Sequence, residues 1–251
     1  AFDFVKSRSV SKAAKLIVWS FKRDGSGNLS YSFLKTLLKS IESFYHPSNE
    51  GEWNDPLAEF LFSLAKTFGE RKQIEYDQKL GRSQSLKNPV VPEEYCLTDE
   101  FCKEFVELIL PIAMMAMYSK SQHMQSCAVN TIKRLITIQP EITFPPLLEQ
   151  CFHALQTLTE THQTVAALEV LSLVIFSMLQ ENTFPEGANY LADIMNLTLP
   201  GIDSNDYQKT WSTFKFYTSL LVSLPLFAEN PTGNGPSALL FFEDWCHKFL
   251  D

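Results

Sequence analysis

From residue 99 onward, apolar positions recur at steps of three and four. Phe101, Phe105, Leu108, Ile109, Ile112 and Met115 share one face of a helix. Asp99 is placed to cap that helix, with Glu100 in its first turn where the helix end is positive. Pro111 falls inside the run, removes one ladder bond and predicts a kink. A second stripe, Cys127, Ala128, Ile132, Leu135 and Ile136, predicts a helix over 122–138 that Pro140 stops. Further helices are expected over 146–158, 162–180, 187–197 and 205–224, the last ended by Pro225. In 162–180 the apolar residues run from Val165 to Phe176 around almost the full circumference, the pattern of a helix buried between neighbours. Upstream, 11–21 and 29–45 read as one helix pair separated by the turn-rich stretch 23–28. Leu57, Phe60, Leu61, Leu64 and Phe68 make 56–68 an amphipathic helix. Residues 78–92 read as a linker, and 230–236 as a break before a last helix over 238–250. No stretch alternates with the two-residue period of a strand.

The order is helix, short link, longer helix, proline, and then the same again. Thr143-Phe144-Pro145-Pro146 and Thr183-Phe184-Pro185-Glu186 lie 40 residues apart, each ahead of an amphipathic helix and a longer, more apolar one. HEAT and armadillo units repeat every 40–47 residues or so. One helical hairpin cannot cover its own apolar face, whereas stacked hairpins cover one another. The expected fold class is therefore all-α, a HEAT/armadillo-like α-solenoid of stacked helical hairpins. Residues 1–92 would form N-terminal helical pairs ending in a turn-rich linker, and 93–251 a run of HEAT-like repeats. Such surfaces bind proteins more often than they carry out chemistry.

Composition supports a folded helical chain. Of 251 residues, 45% are apolar, enough for a sizeable core, and the 9 glycines are fewer than the 13 prolines. Scarce glycine disfavours an all-β fold and removes most phosphate-cradling loops. No uncharged run approaches the ~20 residues that span a bilayer, so no membrane partner is expected. Lys6, Arg8, Lys12 and Lys15 are scattered through the start without the pattern of a cleavable leader. Both ends look cut, so a piece of a longer protein is expected. Five widely spaced cysteines, Cys96, Cys102, Cys127, Cys151 and Cys246, are read as free thiols in a reducing compartment. The formal charge of −8 is uneven: residues 1–89 hold 14 Lys+Arg against 10 Asp+Glu, and residues 90–251 hold 7 against 19. The acidic part dominates, so direct nucleic-acid binding is not expected.

Candidate chemistry is sparse. His123 and Cys127 share a helix face, but a structural zinc site needs four ligands and none follows nearby in sequence. Cys151 and His153 point different ways on a helix, so a cysteine nucleophile would need a base such as His162 brought in by folding. Cys246-His247 carries less still. Glu93-Glu94 and Asp99-Glu100 are explained by helix-start charge. Lys6, Arg8, Lys12, Lys15, Lys22 and Arg23 suit a solvated helix face or an anionic partner, with Trp19 and Phe21 on the apolar side. No catalytic, cofactor-binding or metal residue is assigned, and no cofactor is implied. The loop 43–53 is dense in aromatics. Pro47 and Gly51 are expected to set its turn and Trp53 to plug onto a neighbouring hairpin.

That loop, SFYHPSNEGEW, resembles a segment of the very large single-chain HEAT-repeat activators of the proteasome core particle. Residues 144–170, FPPLLEQCFHALQTLTETHQTVAALEV, resemble the same family, as do 184–216, FPEGANYLADIMNLTLPGIDSNDYQKTWSTFKF, and the string Phe242-Glu243-Asp244-Trp245. The resemblance runs in order over most of residues 40–250 and implies a middle fragment of such an activator. It implies a non-enzymatic role: capping the end ring of the core particle and promoting ATP-independent degradation of peptides and unfolded proteins. It further implies a place in the nucleus and cytoplasm, a link to DNA repair, and inositol phosphate binding elsewhere in the full protein. The family opens the proteasome gate with a C-terminal tail of paired tyrosines. The ending Cys246-His247-Lys248-Phe249-Leu250-Asp251 lacks that motif, so gate opening is not assigned to these residues. The alternative is an adaptor or nuclear-transport solenoid that binds a basic peptide or protein in an acidic groove. A hydrolase built on Cys151 or Cys127 is the third reading.

Overall fold

The computed structural model describes residues 7–22, 29–49, 51–82, 90–157 and 161–224. Among them are nine α-helices and no strand: α1 (Ser7–Trp19), α2 (Leu29–Ile41), α3 (Asn54–Lys79), α4 (Asp99–Ala116), α5 (Gln122–Ile138), α6 (Pro140–Gln156), α7 (Thr161–Met178), α8 (Leu191–Thr198) and α9 (Tyr207–Ser223). Short 3-10 turns precede or follow several of them, at Glu42–Tyr45, Glu93–Tyr95, Gly187–Tyr190 and Leu199–Gly201. The chain is all-α, as the periodicity predicts. The expected helix over 238–250, Cys246-His247, Lys6 and Arg23 lie outside the described residues.

Two compact units divide within α6, at Leu147 and Leu148. The boundary drawn from the sequence at residue 92 falls in a loop inside the first unit. There α1 packs on α3, α3 on α5, and α4 on α5. The core is aromatic. Phe68 of α3 and Phe105 of α4 stack face to face with ring centres 3.8 Å apart. Phe101 meets Phe21 edge-on at 5.5 Å and Tyr31 at 4.8 Å. In the second unit α7 packs on α9. Tyr217 of α9 and Thr198 of α8 share a buried hydroxyl pair at 2.9 Å.

The helix α3 runs eleven residues past its expected end at residue 68. Its extension carries Arg71, which is only 1% exposed. The guanidinium donates to Val18 O at 2.7 Å, Phe21 O at 3.2 Å, Tyr95 O at 2.8 Å and Glu75 Oε1 at 2.8 Å. The other Glu75 oxygen accepts Leu97 N–H at 2.7 Å. One side chain thus ties the end of α1, the body of α3 and the loop before α4. Lys72 adds a bond from its Nζ to Ile138 O, satisfying a carbonyl at the end of α5.

Other helix ends differ from expectation. Thr98, not Asp99, caps α4: its backbone is extended and its hydroxyl accepts Phe101 N–H, while Asp99 is already the first helical residue. The helix α6 starts at Pro140, not Pro146, because proline fits the first helical position where no N–H is missed. Pro145 and Pro146 then lie inside it, so the carbonyls of Glu141 and Ile142 lose their ladder partners. The two four-residue strings are therefore not equivalent in structure: 143–146 lies inside α6, whereas 183–186 forms a turn, although Phe144 and Phe184 are both buried. The helix α7 is long and apolar enough by length and composition to cross a membrane, yet most of it is buried inside the fold. It is not buried all round, because Leu173 and Phe176 are exposed.

Two glycines respond oppositely to a methyl group. A Cβ at Gly187 would overlap the backbone carbonyl of Met178 at the end of α7, whereas one at Gly69 would meet Ile138 at an ordinary 3.8 Å. Gly187→Ala is expected to destabilise by about 1–3 kcal/mol. Gly69→Ala is expected to stabilise by up to ~1 kcal/mol through helix propensity. Urea unfolding of the two variants should give midpoint shifts of opposite sign.

Candidate functional site

The aromatic loop is built around Tyr45 rather than Trp53. Tyr45 is fully buried and its hydroxyl donates to Leu57 O at 2.9 Å, pinning the loop to the first turns of α3. Asn49 Nδ2 donates to Ser43 O, Asn54 Nδ2 to Asn49 O, and Ser48 N–H to His46 Nδ1. Trp53 is not the buried plug expected of it. It is 55% exposed and borders an apolar groove of about 310 Å³ with Val10, Ala13, Leu37, Ile41 and Phe60. A large ring at a helix start cannot turn into a core already filled by Tyr45. Nearby, Leu16, Leu29 and Phe33 of α1 and α2 are also exposed.

The candidate nucleophiles are buried in apolar surroundings. Burial pushes the Cys151 thiol up to about 12, and no histidine contact to it is seen among the described residues. His153 is exposed and lies 3.5 Å from the Thr157 hydroxyl, and His162 is exposed as well. Burial lifts Cys102 to about 11, with Asp99 and Glu75 adding to it against Lys72 and Arg71. Burial, with the charges of Glu59 and Asp55, lifts Cys127 to about 11. A protonated, enclosed thiol is a poor nucleophile, so the arrangement offers no attacking group at Cys151 or Cys127. Folded Cys151 keeps its proton above the ordinary value of 9.0. Between there and about 12 the unfolded chain binds fewer protons, and stability falls as pH rises, by up to about 1.4 kcal/mol per unit for this thiol. Cys151→Ala removes that slope. The stability gap between parent and variant should narrow from about pH 8 to about pH 10.5 in urea titrations.

His123 and Cys127 do acquire a third group. Folding α3 against α5 brings Glu59 to them, 64 residues earlier in the chain. Glu59 Oε1 lies 3.5 Å from His123 Nε2, and Cys127 Sγ lies 3.7 Å from the same nitrogen. All three ligand atoms fall within 4.8 Å of one another. The spacing of Asp55 and Glu59, four apart on α3, mirrors that of His123 and Cys127 on α5, a pattern visible only once the helix partners are known.

The charged stretches stay solvated. Lys12, Lys15 and Lys22 are exposed, as the solvated-face reading expects. Glu93 and Glu94 form a 3-10 turn, and Asp99 pairs with Lys72 at 3.8 Å. The acids of residues 90–251 do not line every helix: α4 carries Asp99, Glu100, Glu104 and Glu107, whereas α5 and α9 carry none and α7 only Glu169. Glu104 is engaged by Lys35 at 3.6 Å. An acidic peptide groove on α5, α7 or α9 is not what these helices present.

Residues 34–243 match the family model described as the mid HEAT repeats region of proteasome activator complex subunit 4. The chain is similar to proteasome activator complex subunit 4 of Homo sapiens, 34% identical over 212 residues, which is 84% of this chain and 11% of that protein. The Xenopus laevis protein of the same name is 37% identical over 194 residues, 77% of this chain and 10% of that protein. Proteasome activator subunit 4 of Arabidopsis thaliana is 25% identical over 250 residues, 94% of this chain and 13% of that protein. The chain thus spans about a tenth of the length of these relatives.

Proposed function

The chain belongs to the family of mid HEAT-repeat regions of proteasome activator complex subunit 4, and from that premise we propose that it is a non-catalytic structural segment of a proteasome activator. In the complete protein it helps form a cap on the end ring of the proteasome core particle. That cap promotes ATP-independent degradation of peptides and unfolded proteins in the nucleus and cytoplasm. The observation that carries the reading is the family match over residues 34–243. The burial of the Cys151 and Cys127 thiols, the two candidate nucleophiles, is in keeping with it. It is supported too by the exposed apolar face of Leu16, Leu29 and Phe33, the kind of surface that a neighbouring repeat covers.

The test mixes the full-length protein with purified core particles in the absence of ATP. Co-sedimentation and faster hydrolysis of short peptides are expected. Absence of both binding and stimulation would sink the reading, and imaging that found the protein in neither nucleus nor cytoplasm would remove its localisation.

A further inference from the structure

We propose that Glu59, His123 and Cys127 form a zinc-binding clip that joins α3 to α5. The argument starts from distances. With Zn–S near 2.3 Å and Zn–N and Zn–O near 2.0–2.1 Å, a tetrahedral site sets its nitrogen and oxygen ligands about 3.4 Å apart and its nitrogen and sulfur about 3.6 Å apart. The observed separations are 3.5 Å for His123 Nε2 to Glu59 Oε1 and 3.7 Å for His123 Nε2 to Cys127 Sγ. A charge-assisted hydrogen bond between imidazole and carboxylate closes to about 2.7–2.9 Å. The pair stands off by more than that and sits at the edge length of a metal tetrahedron.

Chemistry selects the ion. Thiolate, imidazole and carboxylate together suit a borderline-soft divalent cation with tetrahedral preference, which is zinc, rather than the all-oxygen sets of magnesium or calcium. The thiolate and the carboxylate carry two negative charges that cancel the ion's two positive ones. Burial is graded in the same direction. Cys127 is buried and forms the floor, while the Glu59 and His123 side chains are 29% and 44% exposed and leave an entry path. The fourth position is left to water, as in zinc sites with three protein ligands. On binding, the Cys127 thiol proton is released to solvent, the sulfur–zinc bond forms, and no oxidant or reductant is needed.

His123 and Cys127 are spaced four residues apart, so α5 presents its two ligands from consecutive turns, and α3 supplies the third. Such a clip holds together two helices that already pack, and its ligands are drawn from elements that the fold fixes independently.

The full chain is dialysed against zinc and then against metal-free buffer, and its metal content is measured. A cobalt-loaded sample reports thiolate ligation through its charge-transfer absorption. One equivalent of zinc is expected, lost in Cys127→Ala and in His123→Ala and weakened at least 10-fold in Glu59→Gln, the scale seen when a metal ligand set is disturbed. The exposed His123 ring can be removed without opening the core, so that variant reads binding rather than folding. Zinc content in His123→Ala equal to the parent overturns the proposal, as does cobalt uptake without a thiolate band.

Discussion

Replacing Arg71 with Ala is expected to destabilise the first unit by about 3–5 kcal/mol, because it leaves a buried carboxylate without its partner. The guanidinium satisfies Glu75 and three backbone carbonyls at once and lies over the Trp19 ring at 5.4 Å. Removing it strands Glu75, which is 4% exposed and keeps only the Leu97 N–H. Lysine does not rescue the site, because a single ammonium cannot reach acceptors arranged for a planar fork. The double variant Arg71→Ala/Glu75→Ala should be less destabilised than the sum of the single ones, since it removes the stranded charge. Urea unfolding followed by circular dichroism measures all three. A single Arg71→Ala loss below about 1 kcal/mol would show that the network contributes no more than an exposed ion pair.

Phe105→Ala should be nearly as damaging, at about 3–5 kcal/mol. Phe105 is fully buried, stacks on Phe68 with an interplanar angle of 4°, and lies 6.4 Å from the Phe21 ring. Its deletion empties a ring-sized space between α3 and α4. Rigid aromatic neighbours held by several helices cannot collapse into that space, so little of the cavity cost is recovered. Phe105→Leu keeps part of the volume and should lose less. Chemical denaturation distinguishes the two, and equal losses would indicate that stacking geometry rather than filled volume dominates.

Periodicity located well the helices with a strong apolar stripe, such as α4, whose buried residues are all apolar, and α5, where Thr131 is the one buried polar residue. The tail of α3 was hidden because the burial there is ionic: Arg71 and Glu75 look like surface charges in a row of Glu70, Arg71, Lys72 and Gln73. The cap at Thr98 was one residue away from an equally plausible Asp99, and only the extended backbone at Thr98 decides between them. Tyr45 and Trp53 flank one loop with similar apolar character, and which of them fills the core depends on where α3 lies. His123 and Cys127 were legible as a pair from their spacing. Glu59 was not, because the contact that supplies it spans 64 residues and local spacing carries no trace of it.

The Arg71 junction also depends on how much of the chain has been made. Its acceptors at Val18 and Phe21 emerge from the ribosome some fifty residues ahead of it, and Tyr95 follows 24 residues behind. A nascent chain that stops short of Tyr95 holds a guanidinium with one fork unfilled, and Glu75 still waits for Leu97. Until those residues emerge, water is the better host for both charges. The network that ties α1 to α3 is therefore complete only once residues that belong to neither helix are present.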